Sequence, residues 1–429
     1  MRRMLVCLLA VSACSGDDED DAPFTDQGGS IEVPNCGYAL ETRIGADVPR
    51  LAGDKIGTDP TPRLLHLGIV GDPRTSMVAQ WRTVDEETRA GSIRYGVGAD
   101  LSPAQLTKTV KGIHFGYSST GSEIYRVHQA HLCELEAGTT YSYQVGTNGH
   151  YSPVYTFHTA PDVEANPDSE SIFGFIGDSR GGYDIWAQMV SQLQARTPDL
   201  ILFSGDAVTI GLTQYEWETF LETAEPLFAT TPVVLTNGNH EANAVNFYSQ
   251  FAMPGDQENF GLSYGFARIF VANDSPEDPS ALTVSIPTAM DADFTDHADA
   301  RWKLLLHHRP MWSSGSRHGS NTLLQDSWGP IVDKHHVDLV LNGHEHQFEI
   351  SKPLANKVVQ ATNATGTVYV VAGGAGAELY GFNPAGFWSD YMEEAHAAAV
   401  LRVRRDTLTM EPFRSDGTAV VNGFTKSKP

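Results

Sequence analysis

The 429-residue sequence is short of cationic side chains: 29 Lys and Arg stand against 53 Asp and Glu, for a formal charge of −24. That balance argues against nucleic acid as a partner, because affinity for it comes mainly from Lys and Arg neutralising phosphates. A small phosphorylated substrate is not excluded, since bound divalent cations reverse the sign of the local field. Cysteine is scarce as well, with four in the chain, too few and too scattered for a thiolate zinc site. No apolar run beyond the N-terminus is long enough to cross a bilayer. No repeat of fixed period is present either. What is abundant is core material, 41% hydrophobic with 10% aromatic residues, enough at this length for two or three domains.

The first residues have the pattern of an export signal. Arg2 and Arg3 precede the apolar segment 5–11, and Val11-Ser12-Ala13-Cys14 resembles a bacterial lipobox. Residues 1–14 therefore read as a lipoprotein-type signal peptide with lipid carried on Cys14, a conventional signal peptide being the alternative. The acidic run Asp17-Asp18-Glu19-Asp20-Asp21 opens a segment, 15–61, that reads as tether and linker. The expected location is exported, periplasmic or cell-surface, with contact to the membrane only through the lipid anchor. Once Cys7 and Cys14 are set aside, Cys36 and Cys133 remain. They are expected to pair in an oxidising compartment, two buried free thiols being the alternative.

From 62 to 161 short runs of β-formers recur between turn residues, at 64–70, 77–83, 92–95, 125–132 and 140–146, the spacing of an all-β sandwich. The stretch 131–145 resembles the end of a fibronectin type III domain, which makes Tyr141 and Tyr143 corner and core residues. His114, His128 and His131 fit surface or packing roles. From about 168 to 415 strands alternate with helices: strands at 172–176, 200–203, 233–235 and 339–341, helices at 183–196, 213–228 and 323–335. Alternation of this kind defines a layered α/β domain with buried strands.

Five strand ends in that domain carry metal-type ligands. They are Gly177-Asp178, Gly205-Asp206, Gly238-Asn239-His240-Glu241, His307-His308-Arg309-Pro310 and Gly343-His344-Glu345-His346. Strand ends are where α/β domains bind ligands, and each glycine is expected to let the chain turn sharply there. Two carboxylates, an amide and several imidazoles suit hard-to-borderline divalent metals. A metal pair bridged by one carboxylate generates hydroxide at neutral pH and clamps phosphoryl oxygens, so the pattern points to a hydrolase.

These five ordered blocks resemble the calcineurin-like metallophosphoesterases, and most of all their purple acid phosphatase branch, which also has a fibronectin-like domain ahead of the catalytic one. The resemblance implies two divalent ions (Fe, Zn or Mn), with Asp178 on the first and Asp206 bridging both. Asn239, His308 and His344 would hold the second ion and His346 would complete the first. His307 is the rival for His308, but the following Arg309-Pro310 matches the family with His308 as ligand. The nucleophile implied is a metal-bridging hydroxide. His240 would assist the leaving group, and His318 would face the substrate unless its loop is solvated. Glu241 is expected to orient neighbours, and Trp302, Trp312 and Trp328 to pack.

Two departures stand out. The coloured branch has a Tyr three residues after the bridging Asp, where this chain has Thr209. In many relatives the second residue after the first Asp is His, and here it is Arg180. The first ion is thus one protein ligand short. Arg180 either contacts phosphate bidentately or forms an ion pair that holds its loop. The function expected is a binuclear phosphomonoesterase acting on a small phosphorylated substrate. A phosphodiesterase or nucleotidase with the same site, or a non-catalytic surface-binding lipoprotein, are the alternatives.

Overall fold

The computed structural model describes residues 28–121, 123–362, 365–420 and 423–429. The signal peptide and lipidation site expected at 1–14, and the acidic run after them, lie outside the described residues. Part of the stretch read as linker is folded. Gly29–Glu32 and Ala39–Thr42 form an antiparallel hairpin, and Arg50–Leu51 pairs with Ile113–Tyr117 at the edge of the next domain. The first hairpin strand alternates half-buried and exposed positions, and the second buries Leu40, which with Val33 packs against Ile113, Phe115 and Val127 of the next domain. A disulfide from Cys36, in the hairpin loop, to Cys133 holds it to the domain that follows.

That domain is a sandwich of two antiparallel sheets. One runs in the order Arg50–Leu51, Ile113–Tyr117, Tyr125–Leu132, Met77–Arg82, Arg63–Gly68. The other is built on Thr140–Thr147, flanked by Ser92–Val97 and Tyr155–His158. Leu65, Leu67, Trp81, Ile93, Tyr141, Tyr143 and Val145 fill the space between them. The Tyr141 hydroxyl accepts the Glu136 N–H at 2.9 Å and fixes the corner. Tyr143 donates to the Ala229 carbonyl at 2.6 Å and ties the sandwich to the following domain. His114, His128 and His131 are all buried.

The second domain stacks two sheets face to face. The first runs Val233–Leu235, Leu200–Phe203, Ser171–Ile176, Ala397–Val403, Thr407–Arg414, Phe424–Ser427, and its first three strands are parallel. The second contains Ala267–Val271, Trp302–Leu306, Leu339–Asn342 and Val368–Ala372, again parallel. Strand periodicity divides the residues of this second sheet between two cores. Ile269, Leu304, Leu306, Leu341 and Val370 face the first sheet. Phe270, Leu305, Val340 and Tyr369 face the helix Ser285–Asp296 and its neighbours. Helices Tyr183–Gln194 and Gln214–Phe228 bury Trp186 and Trp217 in the larger core. The single helix expected at 323–335 is two, Thr322–Ser327 and Gly329–Lys334. Gly329-Pro330 restarts the helix there, since proline lacks the N–H needed to continue a helix but fits its first turn.

Candidate metal centre

Parallel strands in both sheets end at the same edge, so all five ligand-bearing junctions converge there. Asp178 follows Ser171–Ile176, Asp206 follows Leu200–Phe203, and Asn239 and His240 follow Val233–Leu235. From the facing sheet His308 follows Trp302–Leu306, and His344 and His346 follow Leu339–Asn342. One bond pins the junctions across the gap, Gly177 N donating to Ala372 O at 3.0 Å, and another, Gly343 N to His308 O at 3.0 Å, joins two junctions of the second sheet.

The glycines act in two ways. Gly205 has a φ of +90°, which favours glycine. Gly238 and Gly343 are needed for space instead: a Cβ would lie 2.2 Å from Asp206 Oδ1 in the first case and 2.2 Å from Asp178 Oδ2 in the second. The sharp turns fall on the ligands themselves, with φ of 64° at Asp178, 55° at Asp206 and 69° at His344. Side chains rarely adopt that region except where surrounding contacts impose it.

Two groups of side chains have the spacing of ion ligands: Asp178, Asp206 and His346, and Asp206, His308 and His344, all buried. Asp206 belongs to both. Its Oδ1 accepts the His240 N–H at 3.0 Å, while its buried Oδ2 has no hydrogen-bond partner among the described residues. Asp178 accepts the His344 N–H on both oxygens at 3.0 Å and lies 3.5 Å from His346 Nε2. His308 Nδ1 donates to the Ser204 carbonyl at 2.7 Å, which leaves a lone pair on Nε2 in the neutral ring. That Nε2 is 3.2 Å from Asn239 Oδ1, 3.4 Å from Asp206 Oδ1 and 3.1 Å from His344 Nδ1. His346 Nδ1 likewise donates to a carbonyl, that of Glu378, at 2.6 Å. At the second group Asp206 Oδ1, Asn239 Oδ1, His308 Nε2 and His344 Nδ1 crowd around one point, which suits a cation; the first group offers two carboxylates and an imidazole beside the Arg180 guanidinium, so the donor set fits two divalent ions.

Charge at the centre agrees. Burial alone would lower the His308 pKa, yet Asp206 and Asp178 push it up to about 10. Asp206 is held below the ordinary carboxylate range, against its burial, by His308 and His240. His344, buried and beside His308, is pushed down to about 2. A proton held on His308 by these carboxylates is one that an ion would displace.

Around this ring the remaining residues separate by what they touch. His240 donates from Nδ1 to the Thr209 carbonyl at 2.7 Å, and its Nε2 is 3.9 Å from Asp206 Oδ2. Position 209 thus orients a histidine through its backbone. His318 stacks on His344 with centroids 4.1 Å apart. Its backbone N–H and that of Gly319 are held by Glu345. Glu241 is fully buried and accepts the N–H groups of Asp206, Ala207 and Gly238 at 2.7–2.8 Å; burial, with the Asp206 charge, raises its pKa to about 7. Arg180 is within the ring: Nε is 3.4 Å from Asp206 Oδ2, and Nη2 is 3.3 Å from both His346 Nε2 and the Tyr380 hydroxyl. His307 points away, its Nδ1 3.0 Å from Asp274 and its ring against Trp328. Trp302 and Trp328 are fully buried packing residues.

Sequence reasoning missed Tyr380 and Asp274. Tyr380 stacks on His346 with centroids 4.0 Å apart, and it lies in an irregular stretch that no motif marks. Asp274 was within reach, because Ala267–Val271 is one more strand running to this edge and Asn273-Asp274 follows its end.

Comparison with known proteins agrees with this geometry. Residues 172–348 match the calcineurin-like phosphoesterase family model and residues 62–159 the purple acid phosphatase N-terminal domain. The chain thus carries a calcineurin-like metallophosphoesterase domain behind a purple acid phosphatase N-terminal domain. Its homologues are purple acid phosphatases. Purple acid phosphatase 18 of Arabidopsis thaliana is 25% identical over 86% of this chain and 87% of its own. Acid phosphatase type 7 of Homo sapiens is 26% identical over 74% and 78%. The solved structure of purple acid phosphatase PPD1 from yellow lupin has a TM-score of 0.73 at 18% identity, covering 86% of this chain and 74% of that one.

Proposed function

We propose that the chain hydrolyses phosphate monoesters with two divalent ions. The carrying observation is the buried Asp206 carboxylate, common to both ligand groups, whose Oδ2 makes no hydrogen bond among the described residues and lies 3.4 Å from Arg180 Nε. Asp178, Asp206 and His346 would hold the first ion, and Asp206, Asn239, His308 and His344 the second. Ions so held would supply an activated water and neutralise charge on the phosphoryl oxygens.

The chain's own residues supply the rest. His240 is 29% exposed, and its Nδ1–H bond to the Thr209 carbonyl turns Nε2 towards the cleft. A proton on Nε2 passes to the oxygen of the departing alcohol. Arg180 offers guanidinium N–H groups to the phosphoryl oxygens. His318, stacked on His344, lines the approach. Glu241 fixes the turns carrying Asp206 and Asn239 through three backbone N–H groups and stays off the ions. Thr209 has no phenol, so the ion-loaded protein is colourless in this reading.

Replacing Asp206 with Ala is expected to abolish hydrolysis of an aryl phosphate and to lower metal content. Activity retained in that variant refutes the mechanism. Rates on matched mono- and diesters separate the phosphatase reading from the diesterase reading. Export is supported by the Cys36–Cys133 disulfide, which belongs in an oxidising compartment. Lipid attachment at Cys14 is part of the same proposal and is checked by mass spectrometry of the mature N-terminus.

A further inference from the structure

Beside the ligand ring opens a cavity of about 290 Å³ lined by Arg309, His318, Ser320, Asn321, Thr322 and His344, with Pro310, Gly319 and Leu323 completing the wall. His344 and His318 make it continuous with the site described above, on the side of the second ion's ligands. Its lining contains no carboxylate, although the chain carries 53 of them and a formal charge of −24. It contains instead one permanent cation, two imidazoles, two hydroxyls and an amide.

Arg309 is a built element of this wall. Its backbone N–H bonds the buried Asp274 carboxylate, and its Nη1 donates to the Asp274 carbonyl at 2.8 Å. Among the described residues no partner is seen for its Nε and Nη2, and the side chain is 30% exposed. One edge of the guanidinium is therefore anchored and the other is presented. Asp274 is buried and held down to about 2, against the effect of its burial, mainly by its bond to His307. Its Oδ1 is 4.0 Å from Arg309 Nη1, so the cation is only partly offset. Arg309 also directly follows His308, which fixes its reach from the reacting phosphorus.

A presented guanidinium edge matches the two oxygens of a carboxylate or a phosphate. We propose that this cavity receives the leaving group of the ester, and that Arg309 binds a second anionic group carried on it. The preferred substrates are then monoesters of hydroxy acids or of alcohols that already bear another phosphate. This inference rests on the phosphatase reading. In the reaction, water oxygen bonds to phosphorus and the P–O bond to the leaving group breaks. The released oxygen takes up a proton, giving orthophosphate and an alcohol that keeps its second anion.

The test uses matched pairs on the metal-loaded full chain. 2-Phosphoglycerate is compared with glycerol 2-phosphate, which differ in a carboxylate against a hydroxymethyl group. Fructose 1,6-bisphosphate is compared with fructose 6-phosphate. A charge-assisted bidentate contact predicts that the more anionic member of at least one pair has a kcat/KM roughly tenfold to a hundredfold higher, mainly through KM. The pair that shows it identifies the second anion as carboxylate or phosphate. Arg309→Met should bring that ratio close to one, and Arg309→Lys should keep part of it. Each ratio comes from a single preparation, so partial loss of folded enzyme does not move it. Ratios near one in the wild type, or a high ratio that survives in Arg309→Met, overturn the inference and leave the phosphatase reading standing. Hydrolysis of none of the four esters overturns both.

Discussion

Arg180 predicts unequal affinity at the two ion sites. Its Nε is 3.4 Å from Asp206 Oδ2 and its Nη2 3.3 Å from His346 Nε2, so a permanent cation is in contact with two of the three protein ligands proposed for the first ion. Unit charges 3.4 Å apart at an effective dielectric of about 20 interact by roughly 5 kcal/mol. The side chain is 19% exposed, and water together with outward movement of the guanidinium removes most of that. A residual of about 1.4 kcal/mol is still tenfold in a dissociation constant. Calorimetric titration of the metal-free chain with Zn²⁺ or Mn²⁺ should therefore show two steps, the weaker one at Asp178, Asp206 and His346. Arg180→Met should tighten the weak step at least tenfold and raise the metal retained after dialysis from near one ion per chain towards two. Arg180→Lys, which keeps the charge, should leave the weak step in place. Two equal steps in the wild type, or isotherms that do not respond to Arg180→Met, refute the reasoning.

Two further outcomes concern the N-terminal half. Burial pushes the His131 imidazole down to about 3 from its ordinary 6.5, and His128 and His66 are lowered in the same direction, chiefly by burial. The unfolded chain then takes up protons first as pH falls. The stability these neutral rings contribute is complete above pH 6.5 and declines between about 6.5 and 3, by roughly 3–5 kcal/mol for His131 alone. Thermal melts from pH 7 to 4 should show the decline, and His131→Gln should flatten it; an unchanged slope in the variant counts against this account. The Cys36–Cys133 bridge spans 97 residues, for which chain entropy gives about 4–5 kcal/mol. Cys36→Ser should lower the melting temperature of the sandwich by roughly 10 °C or more, and a melt identical to the wild type would exclude that contribution.

The site was legible in sequence to the extent that it lies at strand ends. A buried strand running into Gly-Asp or Gly-Asn-His is a local pattern, and the parallel arrangement brings such ends to one edge without further instruction. Features that depend on distant partners were not legible. The hairpin 29–42 has short, mostly half-buried or exposed strands that resemble a polar tether, although the bond from Cys36 to Cys133 that holds it was expected. The Ala-rich strand Ala397–Val403 pairs with Ser171–Ile176, more than two hundred residues earlier. Tyr380 reaches His346 from an irregular loop, where neither periodicity nor spacing marks it. Arg180 could be assigned to phosphate or to an ion pair from its position alone; its contacts with Asp206, His346 and Tyr380 needed the fold.

The division of ligands between the two sheets has a mechanical consequence. Asp178, Asp206 and Asn239 ride on one sheet, and His308, His344 and His346 on the other. Each ion would therefore draw donors from both and act as a cross-link at the open edge of the domain, where the apolar packing between the layers gives way to polar loops. Metal loading then closes the second domain much as the disulfide closes the first. Chelation would remove a fastening as well as a reagent, and the separation of the layers, set by their buried side chains, would limit the ion radii the edge can span.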